Sequence, residues 1–297
     1  MKVLITGASG LIGTALQNYL KAEGHTIFTM ERGDNCESDF HWQPDQGKIY
    51  INESINIDVV INLAGSNISD GRWTKKKKQT ILDSRVKSTR LLASKIAELK
   101  HPPKLFISGS AIGYYGETAS NTVDESSIAG NDFLAYVARE WEKATKSAQE
   151  IGIRTVNLRT GIVLSTQGGA LKKMLLPFKM GLGGVVGSGK QYMSWVSIDD
   201  VTRIIGFIIQ TESLAGPVNM VSPEPVTNYE FTKSLGKALN SPTLFPMPSF
   251  VAKLLFGEMA EALLLTSIRV QPNKLLENGY NYTHANLNSA LDKIIQN

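Results

Sequence analysis

A chain of 297 residues with 42% hydrophobic and 20% charged side chains has the balance of a soluble globular protein that can bury a large core. Its net charge of +4 is too slight to argue for nucleic acid. A single cysteine, Cys36, excludes an internal disulfide and suits a reducing cytosol, and no apolar run has the length and purity of a membrane span.

The first strand is Val3–Leu4–Ile5, ending at Thr6, and it begins too early to leave room for a signal peptide. A cytoplasmic location is expected. Gly7, Gly10 and Gly13 follow, and helical character runs over Thr14–Glu23. A strand, a glycine turn and a helix N-terminus in this order can seat a pyrophosphate on backbone N–H groups at the positive end of a helix dipole. Gly7 permits the tight turn, Gly10 removes a side chain that would block the phosphates, and Gly13 lets the helix pack closely. The spacing is GxxGxxG rather than GxGxxG. The second strand, Thr26–Met30, leads into Glu31–Arg32. An acid here hydrogen-bonds an adenosine ribose, the NAD signal, whereas an arginine pairs with the 2′-phosphate of NADP. Because an arginine–phosphate contact is strong and specific, NADP(H) is the expected cofactor and NAD(H) the second choice.

The run Asp58–Leu63 ends in Ala64–Gly65, small residues that let backbone line the adenine–ribose side of a cleft. The basic run Lys75–Lys78 opens a helix over Lys76–Leu99 and reads as a solvated face. The next strand, Lys104–Ser108, continues as Gly109–Ser110–Ala111–Ile112–Gly113–Tyr114–Tyr115–Gly116, which should face the nicotinamide. Ser110 is a hydrogen-bonding candidate there, and Tyr114 and Tyr115 are candidate acids that would need a lowered pKa. A helix over Asp132–Ile151 and strands at Thr155–Leu158 and Val218–Met220 complete an alternation that implies a doubly wound parallel α/β sheet of the Rossmann kind. The glycine-rich segment 167–191 should cover the cleft as loop and short helix. Phe250–Leu265 carries Lys253, Glu258 and Glu261 and reads as an amphipathic or buried helix. The division expected is a dinucleotide-binding domain over 1–222 and a smaller, mainly helical substrate lobe over 223–297. The four histidines show no metal spacing.

The glycine turn, the Asn62–Leu63–Ala64–Gly65 strand end and the Ser108–Gly116 segment resemble the extended short-chain dehydrogenases/reductases of the sugar-epimerase kind. Gly71–Thr74, Asp83–Arg85, Leu158–Leu164, Gly168–Leu171, Gly187–Gly189, Ser194–Asp200 and Gly257–Met259 narrow the resemblance to the atypical, YfcH-type nucleoside-diphosphate-sugar epimerase-like subgroup, which ends in a domain of unknown function. The resemblance implies an NADP(H)-binding Rossmann fold. It places the diphosphate on Gly7, Gly10, Leu11, Ile12 and Gly13, the 2′-phosphate near Glu31 and Arg32, and the adenosine against Leu63 and Ala64, with Gly65 beside them. Ser108 and Val163 would lie at the nicotinamide end. Arg85 and Thr80 would reach the cofactor from the helix after the basic run, although the family often has an acid at the position of Thr80.

One departure matters. Active relatives carry Tyr-x-x-x-Lys on the helix after the Ser110 strand, the lysine lowering the tyrosine pKa from the same helical face. Here Leu134 and Ala138 hold those positions, and Tyr229–Lys233, the literal match, reads as chance. The expected protein is thus an epimerase-like or oxidoreductase-like NADP(H) binder acting on a nucleotide-sugar-like or small carbonyl substrate, or a non-catalytic NADP(H)-bound sensor or partner-binding module. A small-molecule substrate and a homodimer are the partners this reading admits; nucleic acid and membrane are not.

Overall fold

The computed structural model describes residues 1–33 and 38–296; Cys36 lies outside the described residues. A parallel six-stranded sheet forms the centre: β1 (Lys2–Thr6), β2 (Thr26–Thr29), β3 (Val59–Asn62), β4 (Leu105–Ala111), β5 (Arg154–Thr160) and β6 (Gly216–Met220). The strand order is β6-β5-β4-β3-β1-β2, so the direction of winding reverses between β1 and β3. Ligands of such sheets lie beyond the carboxyl ends of the strands at that reversal. Strands buried on both faces need near-continuous apolar runs, and Val3, Leu4, Ile5, Val60, Ile61, Phe106 and Ile107 are all 1% exposed or less.

The helices cover both faces. On one side α1 (Leu11–Ala22) packs with α6 (Ile198–Gln210) over Val3, Ile5, Ile61 and Ile107. On the other, α2 (Lys75–Ala97) and the short α4 (Lys146–Glu150) cover Leu4, Val60 and Phe106. The helix expected over Asp132–Ile151 is two helices, α3 (Phe133–Lys143) and α4, and Asp132 caps α3 by accepting from the Ala135 amide. The second strand does not run through to Arg32. It stops at Thr29, and Glu31–Arg32 starts a separate sheet with Phe40–Gln43 and Lys48–Ile51. Phe40 and Trp42 alternate inward there and bury against the α2 side of the core.

The later chain also departs from expectation in places. The 167–191 segment does contain a helix, α5 (Gly169–Lys179), which packs beside the N-terminus of α1 and shares a core with α7 (Asn228–Ala238) and the terminal helix Leu287–Gln296. Phe250–Leu265 is not one helix. It breaks at Gly257 (φ +62°) after α8 (Ser249–Phe256), whose Phe250 and Leu254 are exposed. The last segment is held to the sheet domain by Asp200, fully buried at the start of α6, which accepts from Ser197 Oγ, the Thr283 and His284 amides and Tyr280 Oη. Trp195 is core: its indole is buried and donates to the Glu224 carbonyl at 3.0 Å.

Candidate cofactor cleft and the adjoining polar network

An open cleft of about 1260 Å³ lies over the carboxyl ends of β1, β2 and β3. Its floor is the glycine turn. Gly7 adopts φ +68°, and a Cβ there would stand 2.7 Å from the Leu63 carbonyl, so both conformation and space demand glycine. A Cβ on Gly13 would stand 2.3 Å from the Gly7 oxygen, which is the close approach of α1 to the turn. Gly10 differs: an added Cβ would meet only the Gly7 oxygen, at 3.3 Å. Its freedom from a side chain serves open space rather than packing. Gly10 is the N-cap of α1 and supplies no side-chain cap, and the first turn of the helix holds no acid. Among the described residues, the leading amides of α1 thus meet no side-chain cap and no acid of their own first turn at the cleft floor formed by Gly7, Ala8 and Ser9. Beneath the turn a buried chain joins the strands: Thr6 Oγ1 donates to Asn62 Oδ1 (2.6 Å), and Asn62 Nδ2 and Trp141 Nε1 both donate to Thr89 Oγ1.

The expected site residues divide by position. Gly7, Glu31, Arg32, Ala64, Gly65 and Thr80 line the cleft. Leu11 packs on Gly168 and Gly169, and Ile12 and Leu63 rest against the core beside the turn; no residue of segment 167–191 lines the cleft. Ser108 is fully buried within β4, with its hydroxyl turned to the Gly109 carbonyl. Val163 sits in a short parallel pair with Val196 and packs on the core; neither residue lines the cleft. Sequence reasoning missed Trp42, Pro44 and Asp45 of the small sheet, and Lys76 and Gln79 of α2, which close the end opposite the glycine turn. The basic run is not a uniform solvated face: Lys77 Nζ donates to the Asn67 carbonyl at 2.7 Å, and Lys78 pairs with Glu258 at 2.6 Å and lies 4.5 Å from the Phe133 ring centre.

Arg85 borders the cleft beside Gly65. Its guanidinium donates to the Ile81 carbonyl (3.1 Å), stacks 5.1 Å from the Trp141 ring, and would lie 3.3 Å from a Cβ on Gly65. Burial lowers its pKa to about 10, and among the described residues no carboxylate lies within ion-pair distance. A desolvated cation with neutral neighbours favours an anionic ligand.

Beyond Gly65, the ends of β4 and β5 carry a second cluster. Ser110 Oγ donates to Glu142 Oε1 at 2.7 Å, and Glu142 accepts both Nε and Nη2 of Arg159, at 2.8 and 2.9 Å. Burial opposes the Arg159 charge, but the two-pronged Glu142 pair outweighs it and raises the pKa above the ordinary arginine value. Tyr115 is 4% exposed; it donates to Asn219 Oδ1 (2.7 Å) and accepts from Arg159 (3.0 Å). Burial pushes its pKa up to about 12, the opposite of what a neutral-pH acid needs. Tyr115 is thus enclosed, with its hydroxyl committed to Asn219 and Arg159. Tyr114 is half-buried, with the Arg159 guanidinium 3.4 Å from its ring centre. Because the Ser110 proton is directed at Glu142, its free lone pair is left to accept from a ligand hydroxyl. The positions of the absent tyrosine–lysine pair are apolar in their surroundings too: Leu134 packs on Gly113 and Ala138 is 2% exposed. Tyr229 and Lys233 lie apart from this cluster, on the exposed face of α7, where Lys233 donates to Thr243. Among the described residues no group of metal-ligating side chains occurs, and no helix is long and apolar enough to cross a membrane.

Residues 3–220 match the model of the NAD dependent epimerase/dehydratase family, and residues 247–294 match a domain of unknown function, DUF1731. The chain is 42% identical over 290 residues to the epimerase family protein Mb2239 of Mycobacterium bovis, covering 97% of this chain and 96% of that one. The crystal structure of human epimerase family protein SDR39U1 (isoform 2) with NADPH superposes at a TM-score of 0.89, with 34% identity and complete coverage of both chains. A nucleoside-diphosphate sugar epimerase structure from Corynebacterium glutamicum gives 0.81 at 32% identity, over 98% of this chain and 57% of that one. With the glycine turn, the reversal of strand order and these matches in agreement, the chain belongs to the NAD dependent epimerase/dehydratase family.

Proposed function

We propose that this protein binds NADP(H) across the carboxyl edge of its sheet and uses it in an epimerase-like or oxidoreductase-like reaction on a nucleotide-sugar-like or small carbonyl substrate. One observation carries the reading: the long cleft floored by Gly7–Ser9 and the uncapped N-terminus of α1, with Arg32 at its far end. The diphosphate lies over Gly10, Leu11, Ile12 and Gly13, where the leading amides of α1 take its charge. The 2′-phosphate meets Arg32, and the adenosine lies along Ala64, Gly65 and the α2 face. The nicotinamide half then runs past Arg85 toward Ser108, Ser110, Tyr114 and Val163. When bound, the nicotinamide supplies or accepts hydride. The chain's own residues orient the reacting group, with Ser110 accepting from a substrate hydroxyl and Tyr114 the tyrosine left to hold or donate a proton. The NADPH in the human SDR39U1 crystal structure supports this cofactor choice.

Leu134 and Ala138, in place of a tyrosine and lysine, favour a second reading in which the cofactor is held without turnover and signals to a partner. Calorimetric titration with NADPH and NADH, on wild type and Arg32→Ala, tests the binding. NADPH binds wild type more tightly than NADH, and Arg32→Ala weakens NADPH by about 1–3 kcal/mol while sparing NADH. Equal losses for both coenzymes overturn the NADP assignment. Absorbance at 340 nm and product analysis of the same incubations with pooled carbonyl and nucleotide-sugar compounds separate the two readings: net coenzyme oxidation or reduction, or an epimerised product at constant absorbance, means turnover, and no change in either favours the non-catalytic one.

A further inference from the structure

The segments 169–190 and 240–257 contain five lysines and no aspartate or glutamate. They lie side by side. The Met247 amide donates to the Val185 carbonyl (2.8 Å), the Gly187 amide donates to the Met247 carbonyl (2.9 Å), and a Cβ on Gly181 would stand 3.7 Å from Pro242 Cγ. α5 belongs to the first segment and α8 to the second. Between them they hold apolar side chains out in water. Leu176, Met180 and Leu182 project from the first, and Leu244, Phe245, Phe250 and Leu254 from the second, all 58–73% exposed. Phe250 and Leu254 are one turn apart and share a face of α8. None of these residues lines the cofactor cleft. Apolar side chains gathered on a surface in this way mark a place that meets something else.

Shape and charge decide what it meets. Residues lining a groove are shaded by its walls, whereas these stand out from the surface, so they suit a broad, soft boundary rather than a peptide seated in a groove. The lysines are only partly neutralised. Lys173 lies 3.9 Å from Asp70 and Lys253 pairs with Glu261, but Lys172, Lys179 and Lys190 make no ion pair among the described residues. A second copy of the chain would set these cations against themselves across a two-fold axis. A bilayer with anionic headgroups takes both parts at once. Leucine and phenylalanine enter the boundary between headgroups and acyl chains, and the lysines stay among the phosphates.

We propose that the face formed by α5, α8 and the chain 240–247 docks on a bilayer surface rich in anionic lipid, with Phe250 and Leu254 inserted and Lys172 and Lys179 held at the headgroups. Attachment of this kind is superficial and needs no spanning helix. It replaces the expectation that membrane has no part, and it is independent of the cofactor. The test is sedimentation of the full chain with vesicles of phosphatidylcholine alone and of phosphatidylcholine mixed with phosphatidylglycerol. Wild type is compared with Phe250→Ser/Leu254→Ser, with Lys172→Gln/Lys179→Gln and with a control pair ahead of β4, Lys100→Gln/Lys104→Gln; thermal melts confirm folding, which changes at exposed positions leave intact. Wild type binds the mixed vesicles at least about tenfold more tightly than the neutral ones, and added salt weakens that binding. Each patch variant loses about tenfold or more on mixed vesicles, while the control pair stays within about twofold of wild type. Wild type that fails to bind mixed vesicles overturns the inference, as does equal binding to both vesicles, an unchanged affinity in either patch variant, or a control loss equal to that of Lys172→Gln/Lys179→Gln. Sedimentation velocity without lipid covers the other occupant: a wild-type dimer that Phe250→Ser/Leu254→Ser dissociates assigns the face to a second copy and overturns the proposal too.

Discussion

Substitution of Gly10 by alanine separates the work of the glycine turn in binding from its work in folding. The backbone at Gly10 has φ −75°, open to any residue, and the new Cβ meets only the Gly7 oxygen at 3.3 Å. A few tenths of an ångström of adjustment relieve that contact, and alanine is a poorer N-cap than glycine, so folding stability falls by about 1 kcal/mol or less. The methyl group nevertheless projects where the diphosphate must approach the leading amides of α1. Displacing the ligand removes two or more charge-assisted hydrogen bonds of about 1.5–3 kcal/mol each, so NADPH affinity falls by about 3 kcal/mol or more, over a hundredfold. Gly13→Ala is the contrasting control, because its Cβ would stand 2.3 Å from backbone oxygen and 2.8 Å from the Ala8 Cα. It costs about 1–3 kcal/mol of stability through overpacking, before any ligand is present. Urea unfolding and calorimetry on the same preparations measure both quantities. A stable Gly10→Ala protein that binds NADPH as wild type does would refute the placement of the diphosphate.

Two further outcomes follow from the buried polar network. Glu142→Ala leaves Arg159, 3% exposed, without its countercharge, and urea unfolding shows a loss of about 3–5 kcal/mol; a loss under about 1 kcal/mol would mean that the pair contributes little. Glu125 supplies a pH signature. Burial raises its pKa, one carboxyl oxygen accepts from the Asn219 amide at 3.0 Å, and the other has no hydrogen-bond partner among the described residues. Between the ordinary glutamate pKa and this raised value the folded state holds a proton that the unfolded state has lost, so stability falls as pH rises through that window. Glu125→Gln lacks this fall, and its stability relative to wild type grows from acid pH toward neutrality; parallel wild-type and variant curves would show that the carboxyl is not perturbed.

The glycine turn was readable in the sequence because its determinants are local: a β-branched run, glycines at fixed spacing and a helix directly after them. The burial of Val3–Ile5 and the close backbone approaches at Gly7 and Gly13 follow from that same stretch. The break at Thr29 was hidden, since Thr26–Arg32 carries no proline or glycine to stop a strand and Met30, just past the break, is still buried. What diverts the chain is long-range pairing of Glu31–Arg32 with His41–Trp42, which no local pattern announces. The same holds for Glu142 and Arg159, which lie 17 residues apart on a helix and a strand and meet only through the crossover. The lysine run shows the limit of reading composition. Four identical residues in succession face four directions on a helix, and their neighbours come from distant segments such as Glu258. Tyr114 and Tyr115 make a related point, since adjacent residues in a tight turn diverge, one half-buried and the other enclosed.

The central claim is that backbone amides at the start of α1 hold the diphosphate of a nicotinamide coenzyme. A crystal structure of the protein soaked with NADPH tests it most directly. The account predicts diphosphate oxygens within about 3 Å of the amides of Leu11, Ile12 or Gly13, with the 2′-phosphate at Arg32. Density for the coenzyme anywhere else, or a glycine turn left empty at saturating NADPH, would contradict it.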